Sequence, residues 1–286
     1  MTRFFCGPIG FVVILAIGLT PRAESQDAAG RAPAETTGGR QVQCLPFLQD
    51  EIPEKYREFL PPPLGVSLNY LHQSMPLEMV DTSVTIPGVP LPPGLIRGGS
   101  IKAVTNSVVA RIDAWLLPFL NVYAMAGRFN GKAQEIAMDL AAPVPLPIPS
   151  AVAYKGPIHG VGFTGALGYR HFFAAYDCNW NWATPDVTSK IRTCSQSLRG
   201  GVHFASGGIQ ARVFVGATRL DISDRAKGTV LLVSGAPATF DVRVRPKQSW
   251  SPLAGADLQL SRHFSLAAEA AFGSTKQIIL APCFRF

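Results

Sequence analysis

Along Gln277 to Phe286 the side chains sort by parity. Ile278, Leu280, Phe284 and Phe286 fall on one side with Pro282 between them; Gln277, Ile279, Ala281, Cys283 and Arg285 fall on the other. Only extended backbone repeats with period two, so this stretch predicts a strand with one greasy face. The same alternation recurs upstream. Val66, Leu68 and Tyr70 oppose Ser67 and Asn69, and Val104, Val108, Ala110 and Ile112 oppose Thr105, Ser107, Arg111 and Asp113. Val161, Phe163, Leu167 and Tyr169 oppose Gly162, Thr164, Gly168 and Arg170, while Phe172, Tyr176, Trp180 and Trp182 oppose Asp177, Asn179 and Asn181. In a segment near Tyr123, Met125 and Phe129, the large residues are expected on the apolar face and Arg128 on the polar one. Further segments follow at Leu198–Phe204, Ile209–Val215, Asp257–Leu260 and Ser265–Phe272, giving about ten strands.

Charge is scarce along this pattern. Only 16% of residues are charged, against about a quarter in a typical soluble domain. Downstream of the start no run approaches the roughly 20 apolar residues of a spanning helix. A membrane crossed by this chain is therefore crossed by strands, which must close on themselves to satisfy their backbone groups. The expected fold is all-β: a closed antiparallel transmembrane β-barrel of about ten strands, within a range of about eight to twelve, occupying residues 61–286. Tight turns such as Arg170-His171-Phe172 and Arg262-His263-Phe264 would lie at one end. Longer connections at Glu78–Gly99, Asn130–Lys155, Ala183–Lys190 and Asp221–Pro237 would lie at the other. The Pro-rich stretch Pro143–Pro157 is expected to interrupt pairing.

Ahead of the barrel, Arg3, the apolar run Ile9–Leu19 and the small residues around Ala23 to Ser25 form a secretory signal over residues 1–25. Residues 26–60 are expected to be a periplasmic linker with a short helix at Glu51–Leu60, stopped by Pro61-Pro62-Pro63. Export places Cys44, Cys178, Cys194 and Cys283 in an oxidising compartment. Cys178 and Cys194 share a face on adjacent strands. A plain hairpin register opposes them, making this pair the candidate disulfide. The net charge of +7 comes from scattered basic residues without a basic–aromatic cluster, which excludes nucleic acid as partner and favours outer-membrane lipids and lipopolysaccharide.

The runs Asp113-Ala-Trp-Leu-Leu-Pro-Phe-Leu-Asn-Val-Tyr123 and Ala271-Phe-Gly-Ser-Thr-Lys-Gln277, with the terminal Phe284-Arg-Phe286, resemble a family of uncharacterised Gram-negative outer-membrane β-barrel proteins over Leu60 to Phe286. The resemblance implies location in the cell outer membrane and a barrel architecture. The aromatic end, Phe284 and Phe286, resembles the assembly signal read by the barrel-assembly machinery. Pro282 departs from a standard closing strand because it cannot donate to the ladder.

Motifs for chemistry are sparse. Gly160-Val-Gly-Phe-Thr-Gly165 matches a dinucleotide-binding glycine pattern, yet strand alternation continues where that motif requires a helix. Strand glycines that leave room in a crowded lumen are the expected reading. No nucleophile elbow and no zinc-protease motif occur, the cysteines have no close ligand partners, and neither metal nor other cofactor is expected. His72 with Ser74 and Glu78 is the one rim constellation that a lipid-modifying hydrolase would use. Eight charges take inward parity: Arg111, Asp113, Arg128, Asp177, Arg199, Arg212, Asp257 and Glu269. Such charges must pair when removed from water, and His203 is expected beside them. The sequence thus points to a barrel with a structural or binding role, or slow passage of small solutes. The alternatives are the hydrolase and a soluble periplasmic β-sandwich.

Overall fold

The computed structural model describes residues 62–88, 96–140, 151–206, 209–222, 225–231 and 237–286, and within them the regular elements are all strands. The proposed signal, the linker, Cys44 and the Glu51–Leu60 helix lie outside the described residues. Twelve strands form one antiparallel sheet: β1 (Leu64–Thr85), β2 (Ile96–Leu117), β3 (Leu120–Leu140), β4 (Ala151–Tyr169), β5 (Phe172–Ala183), β6 (Ile191–Ser206), β7 (Ile209–Ile222), β8 (Arg225–Leu231), β9 (Pro237–Pro246), β10 (Trp250–Gln259), β11 (Phe264–Ala271) and β12 (Lys276–Arg285).

Ten of these strands close a barrel in the order β1 to β7, then β10, β11 and β12, with β12 pairing back onto β1. The seam is in register from Gly65↔Arg285 to Ser67↔Cys283 and again from Tyr70↔Leu280 to Ser74↔Lys276. It is interrupted between these runs, where Pro282 has no N–H to give. On its other side Pro282 keeps its place opposite Leu266 of β11. The closing strand therefore tolerates its proline by losing pairing on one edge only.

Alternation determines which side chains meet lipid. Outward positions around the barrel carry Leu68, Ile112, Val161, Leu167, Leu198, Val215, Leu266 and Leu280, with Ile112, Leu167 and Val215 exposing 61%, 59% and 67% of their surface. Tyr169, Phe172, Phe204 and Phe284 are exposed near the short turns, and Trp180 and Trp250 near the opposite rim. An apolar band between two aromatic girdles is the surface of a membrane-spanning barrel, whereas a water-soluble sandwich would bury these rows.

Strand 3 corrects the sequence reading. Tyr123 and Phe129 are buried, at 6% and 8%, and line the lumen with Met125, while Arg128 is exposed on the outer face. The expectation assumed that every large apolar side chain faces lipid. On β3 the outer face is instead kept apolar by Val122, Ala124 and Ala126, and the large rings fill the interior.

The strands are also longer than their hydrophobic alternation indicates. β1 continues through Glu78 to Thr85, β3 runs through Lys132 to Leu140, and β4 begins at Ala151, inside the expected Pro-rich interruption. Beyond the lipid band outward residues turn polar, so the sequence signal ends while the backbone ladder continues. The segment expected as the loop Asp221–Pro237 contains β8 and leads into β9.

This β8–β9 hairpin reshapes the far end, opposite the tight turns. β9 pairs with β1 over Leu77↔Pro246 to Thr85↔Thr239, taking over the edge that β12 leaves at Ser74. On the hairpin's other side Thr188 bridges Gly228, and the Ser189 amide donates to the Lys227 carbonyl at 2.7 Å. The same segment returns to β4 through the Thr184 and Asp186 amides, which donate to the carbonyls of Pro157 and Lys155. A second, smaller ring of β1–β4, residues 184–189, β8 and β9 thus stands on the ten-stranded one. A bulge at Asp81 (φ 57°) clasps the hairpin: Arg225 donates to the Asp81 carboxylate at 3.0 Å, its carbonyl at 2.8 Å and Asp241 at 2.6 Å. Hydrogen bonds from Arg225 and Lys227 hold the Asp241 carboxyl below its usual range.

Candidate functional site

The lumen is a cavity of about 790 Å³, and its two halves differ in chemistry. The near half, beside the tight turns, is polar. Asn121 on β3 is 1% exposed and connects two charges: it accepts from Arg111 Nη2 at 3.0 Å and donates to Asp113 Oδ1 at 2.7 Å. Arg285 of β12 donates to the same Asp113 oxygen at 2.7 Å, tying the closing strand to β2. The Arg111 guanidinium lies 3.6 Å above the Tyr123 ring, a cation–π arrangement. Tyr123 in turn donates its hydroxyl to Asp177 at 3.0 Å. Asp177 also accepts from Thr164 at 2.7 Å and Asn179 at 3.2 Å. Further round the wall Arg199 of β6 pairs with Glu269 of β11 at 2.6 Å, and Arg212 of β7 with its cross-strand neighbour Asp257 of β10 at 2.8 Å.

Of the eight charges expected inside, Arg111, Asp113, Asp177, Arg199, Arg212, Asp257 and Glu269 lie in this layer and Arg128 does not. Arg285 is the member absent from that set, although its inward parity in the closing strand was visible. Arg111, Arg199, Arg212 and Arg285 balance Asp113, Asp177, Asp257 and Glu269. This leaves no net charge among these eight residues to draw ions of either sign. His203 lies nearer the turn end, opposite Arg212 in register and with its ring 5.8 Å from that of His171.

Tyr123 reaches Asp177 because the intervening position on β4 is a glycine. A Cβ on Gly162 would lie 2.5 Å from the Tyr123 ring. The Gly160–Gly165 run is thus strand, and its central glycine leaves room for a ring.

The far half is apolar. Met75, Leu77 and Met79 of β1 pack with Ala226 of β8 and Val242 and Val244 of β9, flanked by Ile101, Met138 and Phe240. The expected strands leave out half of this chamber, because β8 comes from the stretch expected to be loop and β9 from residues just beyond it that were assigned to no strand.

On the outer face the cysteine register differs from the simple hairpin. Cys178 lies opposite Gln196 and Cys194 opposite Trp180, a slip of two residues that preserves the face but makes the cysteines diagonal neighbours. Both are buried thiols. Maleimide labelling of a denatured Cys44→Ser/Cys283→Ser variant is expected to reach the same level with and without prior reduction, and a rise on reduction would show that a bond forms across the diagonal. At the rim, His72 Nδ1 lies 2.8 Å from Asn106 Oδ1 and Glu78 is held by Arg245 at 2.9 Å, so His72, Ser74 and Glu78 form no catalytic relay. Among the described residues no group of ligands could hold a metal ion.

An even-stranded, closed antiparallel barrel with an apolar belt and aromatic girdles is the architecture of the Gram-negative outer-membrane β-barrels, and that is the class of this chain. No protein-family model matches the sequence, and no curated protein matches it either. Among solved structures it is similar to the β-domain of the Bordetella autotransporter BrkA (11% identity, 79% of this chain, 100% of that one, TM-score 0.40). It is also similar to the translocator domain of the autotransporter NalP from Neisseria meningitidis (11%, 84% and 95%, TM-score 0.38). A third is Ail, the attachment invasion locus protein of Yersinia pestis (8%, 79% and 99%, TM-score 0.26). At these scores the superpositions are loose, and the class rests on the chain's own ladder and lipid-facing belt.

Proposed function

We propose that this outer-membrane barrel is a non-enzymatic binding barrel that takes a small apolar molecule into the far half of its lumen while paired charges shut the near half to ions. The apolar chamber of β1, β8 and β9 carries this reading. A lumen wall that met only water would have no reason to collect methionine, leucine and valine, whereas cofactor and ligand pockets of several hundred Å³ are lined this way. Methionines at 75, 79 and 138 adapt to ligands of different outline. Slow passage through the near half would require separating opposite charges, and open aqueous channels belong to barrels of about 16 strands. The tight turns and both ends of the barrel chain face the periplasm in this reading, and the apolar chamber faces outward.

The test is equilibrium retention of radiolabelled naphthalene by the detergent-solubilised barrel, compared with a Leu77→Glu variant so that partition into detergent cancels. A carboxylate in the chamber is expected to lower retention at least about tenfold. Equal retention would end the binding reading. Steady ohmic conductance of the parent protein in planar bilayers would show that the near half is an ion path after all.

A further inference from the structure

The outer face at the far rim holds a second feature, independent of the lumen. On neighbouring strands β3 and β4, Arg128, Lys132 and Lys155 all point outward. Lys155 lies opposite Asn130, while Arg128 and Lys132 flank that position on β3 at the two diagonals. Diagonal neighbours on one face are about 7–8 Å apart, within reach of side chains this long, so the three ammonium and guanidinium groups can meet over one anion.

The group places three cations on one face of two neighbouring strands, and among the described residues none of the three is in an ion pair. Several cations at this end are paired, Lys102 with Glu135 at 2.8 Å, Arg219 with Asp221 at 3.0 Å, Arg245 with Glu78 at 2.9 Å, and Arg225 with Asp81 and Asp241. Among the described residues no ion pair engages Arg128, Lys132 or Lys155. Glu135 pairs instead with Lys102, and the Asp186 carboxylate accepts the backbone amide of Lys155 at 3.0 Å rather than its ammonium. Three like charges side by side without ion-pair partners repel one another, and the arrangement gains when an anion sits between them.

Its height fixes the kind of anion. Directly below on the same face lie Ala124, Ala126, Val161 and Phe163, all in the lipid band. His159, two outward positions down β4 from Lys155, stacks on Trp182 with ring centroids 5.7 Å apart. That aromatic pair marks the interface, so the cations stand at headgroup level with acyl chains beneath them.

The geometry points to a lipid-phosphate site: Arg128, Lys132 and Lys155, with the Asn130 amide between them, bind the phosphate of a phosphorylated glycolipid or phospholipid whose acyl chains lie against β3 and β4. The assignment relies on the barrel's being in a membrane and not on what the lumen binds.

The test uses the full barrel in detergent with three probes: bis-phosphorylated lipid A, the same lipid after phosphatase treatment, and inorganic pyrophosphate. The expected result is retention of the phosphorylated lipid, loss of retention on dephosphorylation, and no competition by millimolar pyrophosphate. An Arg128→Gln/Lys132→Gln/Lys155→Gln variant should bind the phosphorylated lipid roughly a hundredfold more weakly, at about fivefold per cation. A Lys132→Arg/Lys155→Arg variant should bind as the parent does. Equal retention of the two lipids, or of the phosphorylated lipid by parent and triple-Gln protein, overturns the site. Competition by pyrophosphate overturns the lipid assignment in favour of a soluble phosphate ligand. Should the triple variant fail to fold, the two lipid probes on the parent protein still decide the matter.

Discussion

Glu269→Ala is expected to destabilise the barrel by about 3–5 kcal/mol, because it leaves the Arg199 guanidinium inside the lumen without its carboxylate. The pair is short, at 2.6 Å, and both side chains are largely shielded, at 22% and 9% exposure, so solvent screening does not rescue the orphan. Arg199 also stands 5.9 Å from the Phe214 ring, which offers a cation–π contact but no acceptor. The effect would be read as a fall in the urea midpoint at which the compact, fast-migrating band on an unheated gel disappears. An Arg199→Met/Glu269→Leu double variant should recover most of the loss, since apolar side chains of similar volume need no partner. Equal instability of the single and double variants would mean that the pair contributes packing rather than charge compensation.

Gly162→Val is expected to have the second large effect. Its Cβ would fall 2.5 Å from the Tyr123 ring and 2.6 Å from the Cys178 carbonyl oxygen, so the ring must swing away and release Asp177. Overpacking of this kind costs about 1–3 kcal/mol, and a lost hydrogen bond to a charged acceptor adds about 1.5–3 kcal/mol. Gly165→Ala is the control, because the nearest atom to its Cβ is the Phe119 carbonyl oxygen at 4.0 Å. Equal denaturation midpoints for the two variants would show that Tyr123 does not fill the space above Gly162.

These two sites also show what the sequence reveals and what it conceals. Parity alone places Arg199 and Glu269 inside, because period-two alternation with one lipid-facing row fixes the face of every residue once a few are known. Their pairing across strands far apart in sequence is a property of barrel closure. Tyr123 is the converse case: its hydrophobicity suggests lipid, and only the empty position at Gly162 on the neighbouring strand explains why the ring turns inward. Strand ends were illegible for a related reason. Alternation of apolar and polar residues is imposed by the bilayer, and where β1, β3 and β4 leave it, backbone hydrogen bonds continue without that imprint. The hairpin β8–β9 lies wholly in this region, and the alternation β9 does carry, Phe240, Val242 and Val244 against Asp241, Arg243 and Arg245, turns its apolar row to the lumen instead of to lipid. The cysteine register failed by two residues because loop length sets register, and a slip of two leaves every face unchanged.

The double engagement of β1 has a consequence for how the molecule is built. One flank of that strand is completed by two segments that arrive much later along the chain, β9 for its upper part and β12 for its lower. Until both are present, a long row of amide and carbonyl groups stays open, a template for mispairing with any passing strand. Such distant partners also make closure slow relative to local hairpin formation. The newborn polypeptide therefore needs a custodian for this one border throughout its journey to the bilayer, and a defect in either latecomer should appear first as aggregation rather than as a leaky tube.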